Sequence, residues 1–111
     1  MNHFCCLLIV CAGLLALTAR AADAPVPVGE RVVKASCAAC HLPPGVDGAP
    51  LLGDHAAWQD RMGEGRAALY RNAINGYTGY FVMPARGGNA KLSDDEVKAA
   101  VDYLLDHSGV H

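Results

Sequence analysis

Cys37-Ala38-Ala39-Cys40-His41 sets two thiols three residues apart and an imidazole directly behind the second. On a helix, residues three apart share a face, so the two sulfurs look the same way. That spacing suits covalent attachment of a c-type haem: both sulfurs reach the vinyl groups on one porphyrin edge, and His41 turns its ring toward the iron from the proximal side. Two other chemistries use similar residues. A thioredoxin-type dithiol needs a strand before the helix and a βαβ setting, and neither is visible. A structural zinc site needs four ligands, and Cys37, Cys40 and His41 with a distant His55 make an incomplete set.

The iron's sixth position then decides between carrier and enzyme. A methionine sulfur closes it and raises the reduction potential, whereas an open or displaceable position admits ligands. Met62 falls on an expected helix beside Trp58, where ordinary packing accounts for it. Met83 lies 42 residues after His41 in the irregular run Phe81-Val82-Met83-Pro84, stiffened by its proline. Met83 is therefore the expected axial partner of His41, with His55 or no ligand as the alternatives. A ligating imidazole donates its second N–H to a carbonyl, and the backbone of Pro50 is a suitable acceptor. Trp58 and Arg61, three apart on one helix, could both offer N–H groups to a haem propionate. For Trp58 the alternative is core packing, and for Arg61 a solvated face. Tyr77, Tyr80 and Phe81 flank Met83 and are placed to line the distal side.

The elements that must position these groups read as helical. Ala22 to Val28 is an extended leader, and order starts at Gly29. Glu30 to Ala39 favours helix, with Val33, Cys37 and Cys40 on one face. Leu42 to Asp54 holds three prolines and three glycines in thirteen residues, so it must wrap around something instead of forming regular structure. The helices His55 to Met62 and Arg66 to Asn75 follow, closed by Gly63 and Gly76. A second irregular stretch covers Gly76 to Lys91. Ser93-Asp94-Asp95-Glu96 is a capping box, and Val97, Ala100, Val101, Leu104 and Leu105 repeat along one buried face behind it. Lys98 and Asp102 read as a solvated pair. No repeat and no strand pattern is apparent, so the fold class is all-α.

The chain has 111 residues, 52% hydrophobic and 18% charged, with a formal net charge of -2. That is one small domain without the basic block a nucleic-acid or membrane-surface binder would carry. The first fifth stands apart: Phe4 to Leu17 is an almost unbroken apolar run of fourteen residues, short of the roughly 20 needed to span a bilayer. It reads as a signal-peptide core with cleavage after Ala21, behind Ala19-Arg20-Ala21. Met1-Asn2-His3 lacks a Lys or Arg, which keeps an uncleaved anchor as the alternative. Cys5, Cys6 and Cys11 lie inside the run as small apolar filler. The expected division is a cleaved signal over 1-21, the leader over 22-28 and a single domain over 29-111. The mature chain keeps two cysteines and few large aromatics, so its core needs the haem to complete it.

Taken together, Gly29, the CAACH motif, Gly48-Ala49-Pro50, Leu52-Gly53-Asp54, Ala57-Trp58 with Arg61, Asn75-Gly76, Met83-Pro84, Arg86-Gly87-Gly88 and the SDDEV start of the last helix resemble the class I c-type cytochromes, above all the small bacterial cytochrome c5 type. The resemblance implies an all-α fold around one covalent haem c, with terminal helices crossing at Gly29 and Tyr103, and low-spin iron held by His41 and Met83. It implies a periplasmic one-electron carrier serving a redox-protein donor and acceptor, including membrane-bound complexes, with neither nucleic acid nor small-molecule substrate. A haem enzyme or gas sensor with displaceable Met83, and an electron-transfer subunit of a larger oxidoreductase, are the alternatives. Two features depart from the pattern. Asn89-Ala90-Lys91-Leu92 stands where relatives often carry a second cysteine pair, and Tyr77 to Val82 is longer and more aromatic than usual.

Overall fold

The computed structural model describes residues 24–111; the proposed signal and the first two leader residues lie outside the described residues. Helix α1 (Val28–Val32) passes directly into a π-helical segment (Val33–Cys37) and then into α2 (Ala38–His41). The helical stretch is longer at both ends than the expected Glu30 to Ala39. It also contains a wide turn that propensity does not announce, because π turns come from local packing.

Helix α5 (Asp94–Asp106) starts at the expected box, in which Ser93 Oγ accepts from the Glu96 N–H and Glu96 Oε2 accepts from the Ser93 N–H. Its face of Val97, Ala100, Val101, Leu104 and Leu105 is buried with Val32, Val33 and Val110. The crossing of α1 and α5 depends on Gly29, where a Cβ would stand 2.2 Å from the Ala99 carbonyl oxygen and 3.0 Å from Tyr103 Cβ. Only a residue without a side chain permits so close an approach.

Helix α3 (His55–Arg61) is capped by Asp54, whose Oδ1 accepts from the Ala57 N–H at 3.0 Å. It continues through a 3₁₀ turn (Met62–Glu64) and stops at Gly65, at φ 88°, instead of at Gly63 as expected. Gly63 has no left-handed conformation to supply, and Gly65 does. Helix α4 (Arg66–Asn75) ends at Gly76 as expected. Asp102 does not pair with Lys98: its Oδ1 accepts from Arg66 and from the Tyr70 hydroxyl, both at 2.5 Å, tying α5 to α4. The i, i+4 rule sees only one helix and misses this better partner on a neighbour.

Between α4 and α5 lies a small antiparallel hairpin of β1 (Tyr77–Thr78) and β2 (Val82–Met83), with Tyr77 opposite Met83. This corrects the strand-free expectation. Aromatic and β-branched residues on either side of Gly79 carry the signal, at a length too short for alternation to register. The fold remains all-α in its framework. No helix among the described residues is long and apolar enough to cross a membrane.

Candidate haem site

The end of the π-helical segment and α2 together deliver three groups to one place. Cys37 and Cys40 are half-buried free thiols, and burial, with some help from the charge of Cys40, pushes the Cys37 thiol above its ordinary range. His41 is buried, and its Nδ1 donates to the Pro50 carbonyl at 2.8 Å. A carbonyl can only accept, so this bond puts the proton on Nδ1 and leaves the Nε2 lone pair free. Burial pulls the His41 pKa below its ordinary value; the Pro50 bond opposes this, and Arg61 nearby adds to it. The ring is thus held neutral and aimed, as a metal-ligating imidazole must be.

Cys37, Cys40, His41, Trp58, Arg61 and Met83 border a single cavity of about 450 Å³. That volume lies within the range of cofactor pockets, about 300–1,000 Å³. Met83 reaches it from β2. Met62 does not border it, and packs at the edge of the hydrophobic core instead. His55 is also absent from its walls; its Nδ1 donates to the Ser108 carbonyl at 3.1 Å, pinning the C-terminal tail. Trp58 stacks obliquely near His41, with ring centroids 5.6 Å apart.

Trp58 and Arg61 use their donors differently from the propionate expectation. The indole N–H donates to the Leu51 carbonyl at 2.9 Å, and Arg61 donates to the carbonyls of Ala57 and Gly48. The reason lies in the loop between α2 and α3. Without regular structure its carbonyls have no ladder to join, and α3 offers the nearest donors. Arg61 still has unused N–H groups at the cavity wall.

The hairpin forms the outer lip. Phe81 lies on Gly48, where a Cβ would come within 2.0 Å of its ring, and Tyr80 meets Phe81 edge to face at 4.7 Å between centroids. Sequence reasoning missed the role of Gly48, because only its contact with Phe81 reveals why that site must lack a side chain. Tyr80 is 95% exposed, Val82 72% and Val46 51%, which makes an apolar rim at the mouth. Two thiols, a neutral imidazole, a soft thioether and apolar walls with a guanidinium fit a covalently held haem in donor type and size.

Comparison with known proteins agrees with that fit. Residues 24–104 match the family described as cytochrome c oxidase, cbb3-type, subunit III. Cytochrome c-555 of Chlorobaculum tepidum is 41% identical over 109 residues, which is 97% of this chain and 99% of that protein. Cytochrome c5 of Azotobacter vinelandii is 40% identical over 76 residues, covering 68% of this chain and 89% of its own. A chain in the crystal structure of the electron transfer complex of nitrite reductase with cytochrome c superposes with a TM-score of 0.64 at 36% identity, over 75% of this chain and 96% of that one. A cavity built around CAACH and relatives matched over nearly the whole sequence lead to one conclusion: this chain belongs to the small class I c-type cytochromes, whose cofactor is a single covalently bound haem c.

Proposed function

We propose that this protein is a periplasmic one-electron carrier in which Cys37 and Cys40 hold the haem through thioethers, while His41 and Met83 are the axial ligands of its iron. The observation that carries this reading is the convergence of His41, oriented by Pro50, and Met83 on the cavity that both thiols border. Bound haem supplies a ferric/ferrous couple. The chain's own residues do the rest. The Pro50 carbonyl keeps His41 in the tautomer that binds through Nε2. Met83 would offer the iron a soft sulfur, which would favour the ferrous state and leave no place for a substrate. Trp58 and the wall residues keep water from the couple, and Arg61 offers positive charge to the propionates.

Partners dock on the apolar rim of Val46, Tyr80 and Val82, which lies at the cavity mouth and lets electrons pass without large motion. A redox-protein partner is supported by the similar chain seen in complex with nitrite reductase. The exported location is supported by the apolar segment ahead of Ala21 and by the chemistry of thioether attachment. The match to an oxidase-subunit family favours one second reading, an electron-transfer subunit of a larger complex, for which copurification from membranes is the test.

Optical spectra of wild type and Met83→Ala test the ligand set. The wild type should show reducible c-type bands and, when ferric, the methionine–iron charge-transfer band. Met83→Ala should lose that band, bind carbon monoxide when reduced and have a lower potential. An unchanged Met83→Ala spectrum rejects the assignment.

A further inference from the structure

We propose that Ser36, Gly87 and Asn89 form a clasp that fixes the Met83 loop on the helical segment carrying Cys37, and so set how firmly Met83 is held in the cavity. The proposal rests on the reading of Met83 as the sixth ligand.

Beyond Met83 the chain enters a 3₁₀ turn (Ala85–Gly88) in which Arg86 has φ 55°, a left-handed conformation that a non-glycine residue keeps only when its surroundings enforce it. Arg86 itself closes the loop: one guanidinium nitrogen donates to the Leu92 carbonyl at 2.9 Å and the other pairs with Asp94 at 2.7 Å. These bonds shape the loop but do not attach it to the cysteine-bearing segment. That attachment falls to two contacts on one residue. Gly87 lies so close to Ser36 that a Cβ would stand 2.6 Å from its carbonyl oxygen. Asn89 Nδ2 donates to Ser36 Oγ at 3.2 Å, while Asn89 Oδ1 accepts from the Lys91 N–H at 3.1 Å. Ser36 immediately precedes Cys37 and lies in the π-helical segment, a turn type that recurs at functional sites.

A ligand carried by a loop competes with any added ligand, and the outcome depends on how often the loop lifts away. An external ligand's apparent affinity scales with the fraction of molecules in which Met83 is displaced. None of the three residues touches the reacting atoms, so they are positioning residues. Loss of one neutral hydrogen bond should raise the displaced fraction by about 3- to 10-fold.

The test uses the haem-loaded ferric protein. Imidazole is titrated in, and loss of the methionine–iron charge-transfer band gives its affinity. Ser36→Ala removes the acceptor and leaves the Asn89 turn intact; imidazole should bind about 3- to 10-fold more tightly. Ser36→Thr, which keeps the hydroxyl, should restore the wild-type affinity, a rescue that general loss of stability would not produce. Gly87→Ala, which places a methyl against the Ser36 carbonyl, should have a larger effect in the same direction. A wild-type band combined with Ser36→Ala and Asn89→Ala affinities within about two-fold of wild type overturns the clasp alone. A wild type without the band, or a Met83→Ala variant that keeps it, overturns the ligand reading and the clasp with it.

Discussion

A single methyl group added at Gly29 tests the close crossing of the terminal helices. In Gly29→Ala the new carbon would lie 2.2 Å from the Ala99 carbonyl oxygen, where an ordinary C···O contact is about 3.3 Å. The obstacle is backbone, so no rotamer change relieves it, and α1 must move away from α5 by about 1 Å. That opening loosens the cluster in which Val32 and Val33 meet Val101, Leu104 and Leu105. Overpacking of this kind costs about 1–3 kcal/mol, against a gain of at most about 1 kcal/mol from alanine's helix preference. After the full helix-preference gain the expected net loss is up to about 2 kcal/mol, a fall in Tm of up to about 16 °C for a domain this small. Guanidinium titration followed by far-UV circular dichroism and haem absorption measures it, provided the slope m is unchanged. Gly63→Ala is the control, since Gly63 has no atom within 4 Å of an added Cβ and no left-handed φ; it should be neutral or slightly stabilising. If Gly29→Ala proves as stable as Gly63→Ala, the helices are not in contact there and the account of the crossing is wrong.

Asp102→Asn should weaken the α4–α5 tie to Arg66 and Tyr70; with these groups partly exposed, the loss should be about 1 kcal/mol and should shrink in high salt, as thermal melts at two ionic strengths would show. Glu96 is held below the ordinary glutamate range by the Ser93 backbone N–H and then its hydroxyl. Its stabilisation is therefore present above a pH of about 4.3 and is lost as pH falls through the lower folded value, so the melting difference between wild type and Glu96→Ala should close in that acid window. Trp58→Phe keeps an aromatic ring but leaves the Leu51 carbonyl without its donor, for an expected loss of about 1–3 kcal/mol in denaturant titration. In Cys37→Ala/Cys40→Ala, which removes both proposed attachment points, the sharp cooperative transition should disappear from calorimetry even if helical dichroism persists in part.

Features set by neighbouring residues could be read from the chain; those set by contacts across space could not. The box at Ser93, the buried stripe of α5, the stop at Gly76 and the CAACH chemistry each need only a few consecutive residues, and each stands where expected. The Pro50 carbonyl was also anticipated as the His41 acceptor, because the loop after the motif must return past it. The partners of Asp102 are on α4 and the reason for Gly48 is Phe81, 33 residues away, so neither is legible from nearby residues. The hairpin failed to register for a different cause: two residues per strand cannot show a period of two. The π-helical turn has no sequence signature; it belongs to the backbone of Val33–Cys37, against which the Gly87 loop lies at Ser36.

These long-range contacts share one consequence, which follows from the size of the cavity. The cavity of about 450 Å³ opens at the rim of Val46, Tyr80 and Val82, so with nothing seated in it its apolar walls would face water, at a cost of about 25 cal/mol per Å² of apolar surface. Among the described residues the largest fully buried side chains are Leu105 of α5, Val33 of the π-helical segment and Val110 of the C-terminal tail. Haem is therefore the largest member of the core as well as the redox centre. The irregular loop from Leu42 to Asp54 is where the two duties meet. Its carbonyls at Gly48, Pro50 and Leu51 are taken by Arg61, His41 and Trp58. Each of those side chains borders the cavity. The donors that fold the loop are thus groups that line the cavity, so a substitution there should move stability and reduction potential together. The Gly29 crossing is coupled to the cavity as well, since Val32, Val101 and Leu104, which it packs together, also border it, so Gly29→Ala should move stability and the haem's surroundings together.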